Sequence, residues 1–265
     1  MDNVFDLPAE YKELRTSVRA LAEKEIAPFA QAVDEEHRFP SEAKAALVKN
    51  GLYAAHVPTE FGGDGADALA AVIIIEEVAR VCGSSSLIPA VNKLGSVPLL
   101  LGGNDEQKKR WLPRLAKGEG FSYCLSESEA GSDAAALRTK VERSGDGWVL
   151  NGSKKWITNA GESEFYSVIA QGDPSLRTKG MTAFVVEKSD PASDSDKQYE
   201  KPSPFAKRGS QRFFCSSLPP SSNGTEPSLL TAGISDDDPH TRATSSIIIT
   251  AARASAPSPP NSVGT

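Results

Sequence analysis

The sequence predicts an α+β protein in which an all-helical domain precedes a partial antiparallel β-barrel, and a disordered tail follows. Three observations predict this. Helical patterns fill residues 1–118, short runs rich in β-branched and aromatic residues fill 119–190, and serine and proline dominate 191–265. Because the helices come first and the strands follow without alternation, the order disfavours a doubly wound fold.

Composition narrows the function classes. The chain has 265 residues, a net charge of −6 and 39% hydrophobic residues, so a nucleic-acid partner is not expected. No apolar run approaches the roughly 20 residues of a membrane span, and no signal peptide is expected. The three cysteines and three histidines are scattered, which disfavours a disulfide framework and a structural metal. We expect a cytoplasmic protein that binds no metal.

The first helix is predicted over Ala9–Ile26. Its apolar residues Leu14, Val18, Leu21 and Ile26 form a rough amphipathic stripe. Pro28 is expected to bend or stop this helix, because proline lacks the backbone N–H that a helix interior needs.

Capping residues delimit the helices that follow. Ser41 is a candidate N-cap for the short helix after it, and Gly51 is a candidate residue just past its C-terminus. Three further helices are predicted at Ala68–Val81, Ser84–Leu101 and Asp105–Leu115, the last of them capped by Asn104.

Short strands are predicted from residue 120 onward. Ser144–Gly147 has the composition of a hairpin turn. The strands are predicted at Phe121–Ser126, Leu137–Glu142, Trp148–Asn151, Lys155–Asn159, Phe165–Ala170 and Met181–Glu187.

The tail, residues 191–265, has a different composition. It holds 10 of the 18 prolines and 15 serines, and its apolar residues are scattered apart from Ile247–Ile249. A segment that buries so little apolar surface cannot offset its ordering entropy, which predicts disorder. The alternative is a natural linker to a further domain.

Two stretches could carry chemistry, Tyr123–Asp133 and Asn151–Ala160. Each combines hydroxyls, main-chain amides around glycine and an aromatic residue. This mixture suits a planar heteroaromatic ligand, whose faces need apolar cover and whose ring heteroatoms need hydrogen-bond partners. The alternative is an ordinary strand-turn unit with a buried tryptophan. No GxGxxG or P-loop pattern is present.

The same stretches resemble the flavin-binding segments of the acyl-CoA dehydrogenase family. Tyr123–Asp133 matches its pattern Tyr-x-hydrophobic-Ser/Thr-Glu-x-x-x-Gly-Ser-Asp, and Asn151–Asn159 matches Asn-Gly-x-Lys-x-Trp-Ile-Thr-Asn. Similar segments lie upstream at Ala22–Pro28, Pro58–Gly63 and Lys108–Pro113. The resemblance covers residues 5–190 in the family's order.

The resemblance implies an FAD site and names its residues. The main chain of Leu125 and the Ser126 hydroxyl would reach the pyrimidine end of the ring, and Trp156 would flank the isoalloxazine. Thr158 would lie near N5, and Ser132 would contact substrate. Simple turn-capping is the alternative for the two serines. The implied cofactor-binding residues are Tyr123, Cys124, Leu125, Ser126, Gly131, Ser132, Trp156, Ile157 and Thr158.

The resemblance also implies the reaction. An acyl-CoA thioester would lose an α-proton to a carboxylate and a β-hydride to FAD, and an electron-transfer flavoprotein-type acceptor would reoxidise the cofactor. The family forms homotetramers and keeps its base in a C-terminal helical bundle. No catalytic base is assigned here: Glu127 and Glu129 are expected to be solvated loop acids, and Glu187 is not nominated.

The family-like sequence stops near residue 191, where the Ser/Pro tail begins. We expect that the chain lacks the bundle, and a frameshift near 191 is one hypothesis. Weak or no bound FAD and no turnover are then expected of the chain alone. The alternative is a non-catalytic fragment or a subunit that pairs with a full-length homologue. A related flavoprotein acting on a substrate without CoA stays open.

Overall fold

The helical first part of the predicted fold is confirmed. The computed structural model describes residues 6–144 and 147–188, together with three short strands at 211–215, 230–234 and 246–249. No helix in these ranges is long and apolar enough to cross a membrane. The α-helices are α1 (Ala9–Leu21), α2 (Ala27–Glu35), α3 (Ser41–Lys49), α4 (Ala68–Ala79), α5 (Gly83–Gly102) and α6 (Asp105–Ala116).

The helical path of the chain does not stop at Pro28. A π-helical turn at Ala22–Ile26 joins α1 to α2, and Pro28 lies in the first turn of α2. A proline at this position is tolerated because the first N–H groups of a helix have no partner within the helix.

Two helix ends confirm their predicted caps and one does not. Asn104 caps α6 in a reciprocal capping box with Gln107, and Gly51 follows α3 with a φ of 73°. The prediction for Ser41 is wrong: Pro40 occupies the N-cap position and no side chain caps α3. Pro40 has a φ of −78° and a ψ of 73°, and because this ψ lies outside the helical region, Ser41 is the first helical residue.

The strands form one mixed sheet in the order β1-β4-β2-β3-β8-β7-β6-β5. The predicted α+β fold with a partial barrel is confirmed, but the sheet is mixed rather than purely antiparallel. β4 pairs in parallel with β1 and β2, because the chain crosses over before it forms β4. Single residue pairs join β2 to β4 and β5 to β6, so the barrel is not fully closed. The strands are β1 (Phe121–Cys124), β2 (Lys140–Ser144), β3 (Gly147–Lys155), β4 (Phe165–Gln171), β5 (Met181–Glu187), β6 (Gln211–Cys215), β7 (Leu230–Ile234) and β8 (Ser246–Ile249).

Parts of two predictions lie outside the described residues. Ser144 pairs with Gly147, as a hairpin requires, but the two turn residues between them are not described. Within 191–265 only β6, β7 and β8 are described, and the disorder predicted for the rest of that range stays a prediction.

The helical part meets the sheet where α5 packs against β1. A Cβ on Gly95 would lie 2.8 Å from the Cβ of Phe121 and 3.1 Å from the main chain of Ser122, so the two backbones are nearly in contact. The buried Asn92 donates to Tyr53 O at 3.0 Å and accepts from Phe121 N at 3.1 Å. These contacts fix where β1 begins.

A second junction joins α6 to the end of β5. The buried Glu187 carboxylate accepts from Arg110 Nη2 at 2.6 Å, Trp111 Nε1 at 2.8 Å and Arg114 Nη1 at 2.7 Å. Burial alone would raise the pKa of Glu187, but the hydrogen bonds from Arg114, Trp111 and Arg110 outweigh it and hold the pKa below its ordinary value.

We predict that Gly95→Ala destabilises the protein by about 1–3 kcal/mol, because the added methyl forces α5 away from β1. Gly102→Ala on the same helix is the control, since its methyl meets nothing within 4 Å. Urea unfolding measures both. An equal stability for the two variants would show that the close approach does not constrain the junction.

We predict that Glu187→Gln lowers the free energy of unfolding at pH 7 by about 2 kcal/mol, because it removes a buried charge partner. The lowered pKa makes the carboxylate's contribution complete above about 4.5, its ordinary value, and lost as pH falls through the lowered pKa. Wild type and variant should therefore converge in acid. Glu119→Gln, which removes a half-exposed partner of Arg114, should cost under about 1 kcal/mol.

Candidate functional site

Two strips of chain lie side by side at the ends of β1 and β3. The first strip is residues 123–132 and the second strip is residues 156–158. Lys155 N donates to Ser126 O at 2.8 Å, and Ser122 Oγ donates to Thr158 O at 2.8 Å. The two sequence stretches singled out for chemistry therefore border a common surface.

The nine candidate residues differ in exposure, and the two that lie on β1, Tyr123 and Cys124, alternate between a half-buried and a buried position as neighbours on a strand do. Burial raises the pKa of the Cys124 thiol, which stays neutral within the sheet core. Cys124 is 0% exposed and Ile157 is 4% exposed, so neither side chain is accessible to a ligand. The side chains of Cys124 and Ile157 are buried, those of Tyr123, Leu125, Ser126 and Thr158 are half-buried, and Gly131, Ser132 and Trp156 are exposed.

The far end of the first strip is an exposed turn. Glu127 N donates to Ala130 O at 2.9 Å, and a Cβ on Gly131 would meet nothing within 4 Å. Among the described contacts, none joins Ser132 to the second strip. The structure thus brings residues 123–126 against the second strip and leaves Gly131 and Ser132 in an open loop beside them.

The second strip is a turn, so the strand predicted at Lys155–Asn159 is wrong. β3 ends at Lys155, and Trp156 and Asn159 have φ values of 63° and 62° in the left-handed region. A residue with a side chain destabilises the folded state by about 1–2 kcal/mol when its backbone adopts this conformation. Such strain is often found at functional sites. The Trp156 indole is 65% exposed, which contradicts the alternative of a buried tryptophan.

A buried ion pair lies behind the strips. The expectation that Glu127 is solvated is wrong: it is 8% exposed, and its carboxylate accepts from Lys154 Nζ at 2.7 Å. Thr139 N, Thr139 Oγ1 and Arg138 N also donate to it. Burial alone would raise the pKa of Glu127, but Lys154, Thr139 and Arg138 hold it below its ordinary value. Glu129 is exposed, as expected.

One pattern could have indicated the lysine of this pair, although not its partner. Leu150 and Lys154 are both fully buried, so even-numbered residues of β3 face inward there. A lysine among strand residues that face the core needs a buried partner, since an unpaired buried charge is costly. The pattern does not say which of the chain's acids provides it.

The surface of the strips fits a planar heteroaromatic group. It offers an exposed indole face together with the half-buried hydroxyls of Tyr123, Ser126 and Thr158. Within residues 6–144 and 147–188, no group of three or more His, Cys, Asp or Glu residues could hold a metal ion.

Comparison with known proteins identifies the family. The family model for the acyl-CoA dehydrogenase N-terminal domain matches residues 8–119, and the model for the middle domain matches 122–210. The chain belongs to the acyl-CoA dehydrogenase family. The resemblance read from the strips and from the upstream segments is therefore confirmed.

Relatives show how much of the family's length the chain spans. A probable acyl-CoA dehydrogenase of Mycobacterium leprae is 58% identical over 189 residues, 71% of this chain and 49% of that protein. The mitochondrial short-chain specific enzyme of Bos taurus is 41% identical over 198 residues, 74% of this chain and 48% of that protein. A Bacillus anthracis acyl-CoA dehydrogenase structure complexed with FAD has a TM-score of 0.63 at 26% identity, covering 94% of this chain and 37% of that one. The chain thus spans about half the length of its sequence relatives.

We predict that Trp156→Gly is more stable than Trp156→Ala by about 1 kcal/mol, because glycine adopts a positive φ without strain. Both variants lose the indole, so the comparison isolates the backbone. At Lys155, an ordinary strand position, the order of the glycine and alanine variants should reverse. Thermal unfolding measures the stability of the four variants. The same order of the glycine and alanine variants at both positions would exclude backbone strain at Trp156.

Proposed function

We propose that this chain binds FAD across the two strips and serves the α,β-dehydrogenation of an acyl-CoA thioester. The observation that carries the proposal is the hydrogen bonding of Lys155 N to Ser126 O and of Ser122 Oγ to Thr158 O, which holds the strips at one surface. Family membership and the FAD complex of a related structure support the choice of cofactor.

Each of the nine candidate residues in the strips has a proposed role. The Trp156 indole covers a face of the isoalloxazine, the Leu125 main chain and Ser126 hydroxyl bind its pyrimidine end, and the Thr158 hydroxyl donates to the reducible edge. When bound, FAD supplies the two-electron acceptor for the hydride that leaves the β carbon. Tyr123, Cys124, Gly131 and Ile157 would complete the cofactor contacts, and Ser132 would contact the thioester substrate.

We assign no catalytic base among the described residues. Glu127 and Glu187 are each held by cationic and neutral donors, and both pKa values are lowered. A carboxylate bound in this way is a poor proton acceptor for a substrate carbon. We therefore propose that the chain by itself binds FAD weakly and does not turn over.

The remaining parts of the proposal concern partners and place. The electron acceptor would be of the electron-transfer flavoprotein type, the assembly would follow the homotetramer of the family, and the protein would act in the cytoplasm.

We predict that purified protein titrated with FAD shows weak saturable binding, seen as a perturbed flavin absorbance spectrum. Trp156→Ala should weaken it about tenfold, because the exposed indole contributes face contacts worth about 1 kcal/mol or more. Leu176→Ala, which removes another exposed apolar side chain, is the control.

Two results would contradict the proposal. Absence of saturable binding would reject the flavin site. Stoichiometric FAD that bleaches when acyl-CoA is added would reject the claim that the chain alone does not turn over.

A further inference from the structure

Lys154 connects β3 to the first strip. Its side chain is fully buried, and Nζ donates to Leu125 O at 3.0 Å and to Glu127 Oε1 at 2.7 Å. The next residue, Lys155, donates its N–H to Ser126 O. Three consecutive residues of the first strip are therefore held by two consecutive residues at the end of β3.

Glu127 also holds a third segment of the chain, which lies just before β2. Thr139 donates its N–H at 3.0 Å and its hydroxyl to Glu127 Oε1. Gly152 makes room for this contact, because a Cβ there would come within 2.3 Å of Thr139 Oγ1. Glu127 and Lys154 thus join the first strip, the residues just before β2 and the end of β3 at one buried point.

We propose that the Glu127–Lys154 pair positions the first strip against the second strip and thereby sets the affinity of the site for FAD. The inference rests on the proposed function, since it takes the strips to be the FAD site. Both residues act through the main chain that they hold, and they are positioning residues. A charged pair suits this task, because the Lys154 ammonium donates and the Glu127 carboxylate accepts directed hydrogen bonds, whereas an apolar pair would fill the space without fixing the Leu125 carbonyl.

A matched control separates the effect of the Glu127–Lys154 pair on FAD binding from its effect on stability. Glu77 in α4 is also buried, and it pairs with Arg19 at 2.7 Å, far along the chain from the strips. Glu77→Gln should destabilise the protein as Glu127→Gln does but leave FAD binding unchanged. Lys154→Met removes the ammonium and keeps a side chain of similar length.

The experiment titrates FAD into wild type, Glu127→Gln, Lys154→Met, the double variant and Glu77→Gln by calorimetry, alongside urea unfolding. We expect the FAD dissociation constant to rise about tenfold or more in the first two variants, as for other residues that orient ligand-binding groups. The double variant should regain stability, because no buried charge stays unpaired, without regaining affinity.

Hydrogen exchange provides a readout that needs no cofactor. In Lys154→Met and Glu127→Gln the Lys155 N–H should exchange faster than in wild type, and in Glu77→Gln this acceleration should be no greater than that of the other amides in β3.

The outcomes decide between the claims. Unchanged affinity in Glu127→Gln and Lys154→Met would overturn the positioning role, and so would an equal loss in Glu77→Gln. Wild-type protein that fails to bind FAD would instead reject the proposed function, and Lys155 exchange would still show whether the pair orders the strips.

Discussion

The close contact between α5 and β1 is the constraint on which the rest of the structure depends. Gly95 lets two backbones approach to a distance that any side chain would prevent, and Asn92 ties the helix to β1 by accepting from Phe121 N while its amide NH2 donates to Tyr53 O. Ser167 on β4 adds a hydrogen bond to Gly95 O. Because β1 starts at this junction, the position of the first strip follows from the packing of a helix that lies outside both strips.

Much of the fold could be predicted from local sequence. Asn104 caps α6 as its pattern indicates, and β5 occupies the predicted Met181–Glu187. The errors arise where a local signal met a stronger constraint: Pro40 displaced Ser41 as the cap, and the parallel pairing of β4 depends on a crossover. The path of a crossover depends on packing between residues far apart in the sequence, and the local periodicity of apolar residues does not indicate it.

The candidate site was predicted less completely. Its two segments were recognisable from their residues, and their adjacency is now observed. Aromatic and β-branched neighbours predict a strand at Trp156, yet β3 ends at Lys155 and residues with left-handed φ values follow. Glu127 was misjudged because its partner, Lys154, is 27 residues away and no local pattern links them. A buried ion pair of this kind joins residues far apart in the sequence, so a short sequence segment contains only one of its two members.

The chain's three tryptophans occupy three different surroundings. Trp111 is buried at the domain junction, Trp148 is half-buried in β3, and Trp156 projects into solvent. A collisional quencher such as iodide should reach the Trp156 emission first and leave that of Trp111. The protein's own fluorescence can therefore follow the strips and the junction as two separate signals, without an attached dye.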